Sequence, residues 1–265
     1  MTSKICVMGN SHVAALKDGW PGIAAKFPKV EADFFGCLKN GMASFGKRAD
    51  GLFGPLEEEA AAFFKSISTT GDFVDLAGYD AFVLSGMKFF PNSLIRNYAQ
   101  FATPQSKNHD IAQQMVTRDV LEAALWDDLK SGMMVHVVRT LKQATEAPVF
   151  VIWQPFLSEG LNKIDWRKDL YAPILENKDG DYVTDIMAGV DARLEALGAQ
   201  VLRQPAKTIK KGVMTAQKWS DGSRQFRAGS GAEHRELDVF HMNADFGEAC
   251  WTDWLKSGAL GAALK

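Results

Sequence analysis

The sequence predicts an α/β fold: a three-layer α/β/α sandwich around a five-stranded parallel sheet with the flavodoxin-like strand order 2-1-3-4-5. Strand-like and helix-like segments alternate along the chain, which is typical of a parallel sheet. The first, third and fourth strands, at residues 5–8, 81–84 and 149–152, are continuously apolar, as expected of central strands covered on both faces. The second and fifth, at residues 29–36 and 200–203, suit the sheet edges. This pattern matches the doubly wound order, in which ligands bind between the first and third strands.

The first strand is followed by Gly9, Asn10, Ser11 and His12. The β-prone run stops at Gly9, and the next residues, 13–20, have the apolar spacing of a helix. Ser11 therefore lies where a strand passes into a helix N-terminus, a place where backbone N–H groups point at anions. A serine there can cap the helix or attack a substrate, and the local sequence leaves both roles open.

The other elements follow from the same kind of periodicity. Helices are predicted at residues 56–67, 120–144 and 182–197, and again after His241. Residues 120–144 form one long helix in this prediction, because an apolar residue recurs at every fourth position. Two polar insertions, at about residues 87–118 and 205–236, interrupt the pattern, and the first is expected to carry short helices. The whole chain, residues 1–265, is predicted to be one domain.

Composition excludes several classes of protein. A formal net charge of -2, with 46% hydrophobic and 23% charged residues, gives no electrostatic case for nucleic-acid or membrane partners. No apolar stretch approaches the roughly 20 residues of a membrane helix, and the N-terminus lacks the features of a signal peptide. The three cysteines, Cys6, Cys37 and Cys250, are far apart without a C-x-x-C pair, which predicts free thiols, no zinc site and a cytoplasmic location. No pattern indicates the oligomeric state.

A nucleophilic serine needs a base, and the base needs a partner that fixes its tautomer. His241 alone among the five histidines has an acid, Asp238, three residues before it in an otherwise apolar stretch that precedes a helix. The side chain of His12 is expected to leave its turn in another direction than Ser11. The remaining histidines are assigned to a helix interior (His136) and to polar loops (His109 and His234).

The two motifs together, Gly9-Asn10-Ser11-His12 and Asp238 to His241, resemble those of the SGNH (GDSL-like) hydrolases. The first motif matches the family's G-D-S pattern after the first strand, with Asn10 in place of the usual Asp. The second matches the D-x-x-H pattern near the C-terminus. The resemblance implies an SGNH-like domain in which Ser11 is the nucleophile, His241 the base and Asp238 its partner.

The resemblance also implies an oxyanion hole with donors after the second and third strands. Gly36 is the natural match for the first of these donors. The family has a Gly-x-Asn after the third strand, whereas this chain has Gly86-Met87-Lys88. Lys88 could serve as a cationic donor, or Asn92 or Gln154 could reach in. Equally, the site could be catalytically impaired, because one lost donor costs about 2.7–4 kcal/mol of transition-state stabilisation.

The sequence thus predicts a serine ester hydrolase that acts on an O-acyl or O-acetyl group, with a carbohydrate as one candidate alcohol. Its substrate is expected to be a small-molecule or glycan ester, and neither a cofactor nor a metal is required. An O-acyltransferase with the same triad is one alternative, because the difference lies in water exclusion and acceptor binding. The other is a non-catalytic relative that binds a glycan or an acidic metabolite in the crevice, with Lys88 in place of the lost asparagine.

Overall fold

The computed structural model describes residues 2–163, 167–236, 238–256 and 258–264, and its centre is a parallel sheet of five strands. The strands in chain order are β1 (Ser3–Gly9), β2 (Val30–Gly36), β3 (Phe45–Lys47), β4 (Phe53–Pro55), β5 (Ala81–Ser85), β6 (Phe101–Ala102), β7 (Gln114–Met115), β8 (Val149–Ile152), β9 (Ala199–Leu202), β10 (Ile209–Lys210) and β11 (Met214–Thr215). The predicted α/β class is confirmed.

The order of strands in the central sheet is β2-β1-β5-β8-β9, and every neighbouring pair is parallel. The six other strands form separate two-stranded pairs, β3 with β4, β6 with β7 and β10 with β11. Because these short strands were not predicted, the numbering differs from the expected 2-1-3-4-5. The strands at the two edges are β2 and β9, and the three between them are fully buried or nearly so.

The helices flank this sheet. Their bounds are α1 (Val13–Ala24), α2 (Glu58–Ile67), α3 (Asn92–Asn97), α4 (Arg118–Leu129), α5 (Met133–Lys142), α6 (Lys168–Glu176), α7 (Gly180–Glu195), α8 (Ala244–Lys256) and α9 (Ala259–Ala263). Side chains of β1 alternate between two cores, as the period of two in a strand requires. Ile5 and Val7 pack with α1 and α8, whereas Cys6 and Met8 pack with α5 and α7. Among the described residues, no helix combines the length and apolar character that crossing a bilayer requires.

The single helix predicted over residues 120–144 is wrong. The chain forms α4 and α5 instead, and it turns between them at residues 130–132. Gly132 precedes α5 in an extended conformation (φ -79°, ψ 169°), and glycine costs about 1 kcal/mol relative to alanine inside a helix. The pattern of an apolar residue at every fourth position continues across this turn, because both helices bury one face in the same core. Periodicity alone therefore does not reveal the break.

All three cysteines are free and buried. Burial raises the pKa of the Cys6 and Cys250 thiols well above the ordinary value, and that of the Cys37 thiol as well. Thiols of this kind remain protonated and unreactive at neutral pH, so they are part of the core.

Candidate active site

Ser11 lies in the turn between β1 and α1, and its side chain faces the C-terminal part of the chain. The cap position of α1 is His12, and no side chain caps the helix, so the capping role that the sequence left open for Ser11 is not used. The Ser11 hydroxyl oxygen, Oγ, lies 2.9 Å from Nε2 of His241. This is the hydrogen-bond distance expected between a nucleophile and its base.

The turn that carries Ser11 is fixed by its neighbours. The side chain of Asn10 is buried, and its Oδ1 accepts a hydrogen bond from the His12 backbone N–H at 3.3 Å. The Val13 N–H donates to the Asn10 carbonyl at 3.0 Å, which closes the turn. A Cβ atom at Gly9 would lie 2.0 Å from the carbonyl oxygen of Ser85, so only glycine allows β1 and β5 to approach here.

Asp238 holds His241 through both of its carboxylate oxygens. Oδ2 lies 3.0 Å from His241 Nδ1, and Oδ1 accepts backbone N–H bonds from Phe240 and His241, both at 2.8 Å. Because an ionised carboxylate only accepts, Nδ1 must carry the proton, which leaves Nε2 to accept from Ser11. Burial would raise the pKa of Asp238, but the hydrogen bonds from the His241 ring and backbone lower it to about 2.

Two further imidazoles contact the ring of His241. The ring of His234 is stacked on it, with centroids 4.0 Å apart and planes at 3°, and the ring of His12 lies 5.1 Å away at 25°. Nδ1 of His234 also lies 3.6 Å from Oδ2 of Asp238, so one carboxylate faces two histidines. Sequence reasoning missed both rings: it expected His12 to leave the turn in another direction and placed His234 in a polar loop.

Both neighbouring imidazoles are neutral at pH 7. Burial lowers the pKa of His12 to about 3, with the neighbouring His241 acting in the same direction, and burial likewise lowers the pKa of His234. Nδ1 of His12 and Nε2 of His234 are buried and have no hydrogen-bond partner among the described residues. The His241 ring therefore contacts two imidazoles in addition to the charged carboxylate of Asp238.

The segment after β5 packs directly against the Ser11 turn. Gly86 has a φ of +78°, and a Cβ there would lie 2.1 Å from Asn10 Oδ1 and 2.9 Å from His12 Cδ2. Met87 and Lys88 also have positive φ values, +52° and +60°. Left-handed backbone at residues other than glycine costs about 1–2 kcal/mol each, so this run is strained.

Gly36 occupies a tight position between strands. It pairs with Gly9 of β1, and a Cβ at Gly36 would lie 2.0 Å from the Gly9 carbonyl oxygen. Its N–H donates to the hydroxyl of Ser68 at 3.0 Å. This bond counts against the prediction that Gly36 supplies an oxyanion donor. The Ser11 N–H, by contrast, has no hydrogen-bond partner among the described residues.

A cleft of about 790 Å³, the size of a small-ligand site, lies next to the segment that follows β5. The residues that line it do not include Ser11, Asp238 or His241, but they include neighbours in sequence of Gly86 and His241. Lys88, Asn92 and Gln154, the three candidates for the remaining donor, all line it. Phe240, which directly precedes His241, and Met87, which directly follows Gly86, contribute to the same wall. The structure thus brings the three candidate donors into one cleft at the end of the sheet where Ser11 lies.

His234, Asp238 and His241 could also hold a metal ion, since their ligand atoms lie within 4.8 Å of one another. Imidazole and carboxylate groups are ligands that zinc and similar ions accept. A metal bound at His241 Nδ1 would displace the hydrogen bond to Asp238. The arrangement seen here, with Nδ1 on the carboxylate and Nε2 on Ser11, is the one suited to proton transfer.

Comparisons of the chain with models of protein families, with curated proteins and with solved structures found no match.

Proposed function

We propose that this protein is a serine ester hydrolase that acts on an O-acyl group. The observation that carries the proposal is the unbroken chain of hydrogen bonds from Ser11 Oγ to His241 Nε2, and from His241 Nδ1 to Asp238. These three residues come from distant parts of the sequence, and their side chains have the order and distances of a nucleophile, a base and an orienting acid.

The proposed reaction has two halves. Ser11 Oγ attacks the ester carbonyl carbon while its proton passes to Nε2 of His241, and the ionised Asp238 stabilises the resulting imidazolium. The bond to the alcohol oxygen then breaks, and the alcohol leaves with the proton from His241. Water repeats the sequence on the acyl-enzyme: its proton goes to Nε2, the acid is released, and Ser11 regains its hydroxyl hydrogen.

The negative charge that develops on the carbonyl oxygen needs hydrogen-bond donors. The Ser11 N–H is the first donor in this proposal, because it has no partner among the described residues. The second comes from the cleft wall, where Lys88, Asn92 and Gln154 lie.

We infer further that the chain is a divergent SGNH-like hydrolase. Once the six short strands are set aside, the five strands of the sheet follow one another as 2-1-3-4-5, which supports the flavodoxin-like arrangement expected of that family. The Ser11 motif after the first strand and the Asp238 motif before α8 support the same inference. The chain departs from the family pattern at Lys88, and in the engaged N–H of Gly36.

Labelling with a fluorophosphonate tests the nucleophile directly. We expect the native protein to gain one phosphonyl group on Ser11, identified by mass spectrometry of the peptide, and to hydrolyse p-nitrophenyl acetate at a steady rate. The Ser11→Ala variant should lose both properties. Ser131→Ala, at a serine of the cleft wall, is the matched control and should retain them. Absence of label on Ser11 in folded protein, or turnover that survives Ser11→Ala, would contradict the proposal.

A further inference from the structure

We propose that the cleft lined by Lys88 and Phe240 binds a negatively charged group of the substrate, so that the preferred substrates are esters carrying a second, anionic group such as a carboxylate. This inference rests on the proposed function, because it names the substrate class of the same site.

The charges on the cleft wall are unequal. Among the described residues, the cations that line it are Lys88, Arg96 and Arg167, and the one carboxylate is that of Asp128. Neither Lys88 nor Arg96 forms an ion pair with any other described residue, and both are exposed. Cations that the protein itself does not neutralise, grouped in a concave wall, raise the local concentration of anions.

One of these cations contacts Phe240, the residue that directly precedes the proposed base His241. The guanidinium carbon of Arg167 lies 4.5 Å from the centre of the Phe240 ring. The backbone N–H of Phe240 donates to the Asp238 carboxylate that holds His241. Phe240 therefore connects the Arg167 side of the cleft wall with the carboxylate of the proposed triad.

A buried hydroxyl on the same wall indicates a missing hydrogen-bond partner. Tyr171 is 2% exposed and lines the cleft, and its hydroxyl has no partner among the described residues. Buried polar groups in folded proteins are nearly always paired, so an orphaned hydroxyl at a cleft points to a ligand. An anionic oxygen is an acceptor that this O–H can serve after a small rearrangement.

The position of Lys88 is maintained against backbone strain. Its φ of +60° belongs to the left-handed run that begins at Gly86, and the Phe89 N–H donates to the Gly86 carbonyl at 2.9 Å to close that turn. The Gln154 N–H in turn donates to the Phe89 carbonyl at 2.9 Å, which ties the turn to the end of β8. Strained backbone that the surrounding structure enforces is typical of ligand-binding positions.

Two matched pairs of esters test the charge preference. The first pair, 4-acetoxybenzoate and its methyl ester, differs in charge on the alcohol side. The second pair, mono-4-nitrophenyl succinate and its methyl ester, differs in charge on the acyl side. For one pair at least, we expect kcat/KM of the anionic member to exceed that of the neutral member by about tenfold, as two exposed ionic contacts allow.

The variants identify the cause of the preference. In Lys88→Met/Arg96→Met the ratio of anionic to neutral kcat/KM should fall to about one, and Arg96→Met alone should lower it partway. Lys65→Met, at an exposed lysine of α2 outside the cleft, is the matched control and should leave the ratio unchanged. Circular dichroism verifies that each variant is folded. If the double variant is unfolded, the ratio measured for Arg96→Met alone tests the proposal.

Binding to Ser11→Ala separates this inference from the proposed function. Calorimetry on that variant compares 4-hydroxybenzoate with its methyl ester, and monomethyl succinate with dimethyl succinate, without any need for turnover. Tighter binding of one anionic member, lost in the Lys88→Met/Arg96→Met background, supports the anion subsite even if no ester is hydrolysed. The inference would be overturned if anionic and neutral members had equal kcat/KM and equal affinity, or if the substitutions left a preference for the anionic member unchanged.

Discussion

The imidazole of His234 lies parallel to that of His241, with 4.0 Å between the ring centroids and 3° between the planes. The contact places a flat, neutral and partly buried ring against the base of the proposed triad. It also places Nδ1 of His234 3.6 Å from the carboxylate of Asp238. His234 therefore contributes to the position of both partners of Ser11 without touching Ser11 itself.

We expect His234→Ala to lower kcat on p-nitrophenyl acetate by about tenfold, because a loosened His241 ring no longer meets Ser11 in one geometry. His234→Phe keeps a flat ring in the stack and should retain most of the activity. His234 could act through its stacked ring or through its imidazole nitrogen, and steady-state kinetics of both variants across pH 5–9 distinguishes these two roles. A loss as large in His234→Phe as in His234→Ala would show that the imidazole nitrogen, rather than the stacked ring, is required.

Asp238→Asn removes the charge while it preserves the shape of the side chain. We expect kcat to fall by about 10³–10⁴-fold, because the amide can no longer fix the Nδ1–H tautomer or stabilise the imidazolium. Since the pKa of Asp238 is about 2, the carboxylate stays ionised in the native protein throughout the neutral range. Glu233→Gln, at an exposed acid nearby in sequence, is the control for a general change of charge. A loss of less than tenfold in Asp238→Asn would be inconsistent with the triad.

Gly86→Ala tests the contact between the two turns at the site. A Cβ there meets Asn10 and His12 within 3 Å, so we expect a loss of stability of about 1–3 kcal/mol and a large loss of esterase activity. Gly71 provides a control with similar backbone, since its φ is +88° and nothing lies within 4 Å of the added Cβ. Gly71→Ala should cost about 1–2 kcal/mol in urea unfolding and leave activity intact. Equal activity in the two variants would contradict the proposed role of the Gly86 contact.

The low pKa of His12 predicts how stability depends on pH. Between its ordinary value near 6.5 and the folded value of about 3, the unfolded chain binds a proton that the folded chain does not. The free energy of unfolding should therefore decrease as the pH falls from 7 to 4, by up to about 1.4 kcal/mol per pH unit from this group. The lowered pKa of His234 acts in the same direction, whereas that of Asp238 matters only below about pH 4.

Urea unfolding of the native protein and of His12→Gln from pH 7 to pH 4 measures this contribution. The slope of unfolding free energy against pH should be shallower in His12→Gln by up to one proton. Parallel slopes in the two proteins would mean that His12 takes up its proton at the same pH in the folded and unfolded chains, which would contradict the lowered pKa.

Local sequence located the strand end that carries Ser11 and the acid–histidine pair Asp238 and His241, and the resemblance to SGNH hydrolases joined the two motifs into one predicted site. The strand end at Gly9 and the short spacing between Asp238 and His241 are decided by residues within a few positions of each other. In the structure, Ser11 and Asp238 are each at hydrogen-bond distance from the His241 ring. Parallel strands place their carboxyl ends at one edge of a sheet, so a motif after the first strand lies near the crevice by topology alone.

The features that sequence reasoning missed depend on contacts between distant segments. The stacking of His12 and His234 on His241 requires the orientation of three side chains from three loops, which no spacing encodes. The bond from the Gly36 N–H to the Ser68 hydroxyl joins residues 32 positions apart. The break at residues 130–132 is hidden because both helices share one apolar face. In each case the packing of the folded chain decides the outcome.

The burial of every native thiol makes this chain a convenient background for chemical labelling. Cys6, Cys37 and Cys250 are each at most 6% exposed, so a maleimide should react slowly with the folded protein. A single cysteine introduced at exposed Asn92, on the cleft wall, would then carry a fluorophore without removal of the native ones. Such a reporter would detect a ligand entering the cleft by fluorescence, even a ligand that is never hydrolysed.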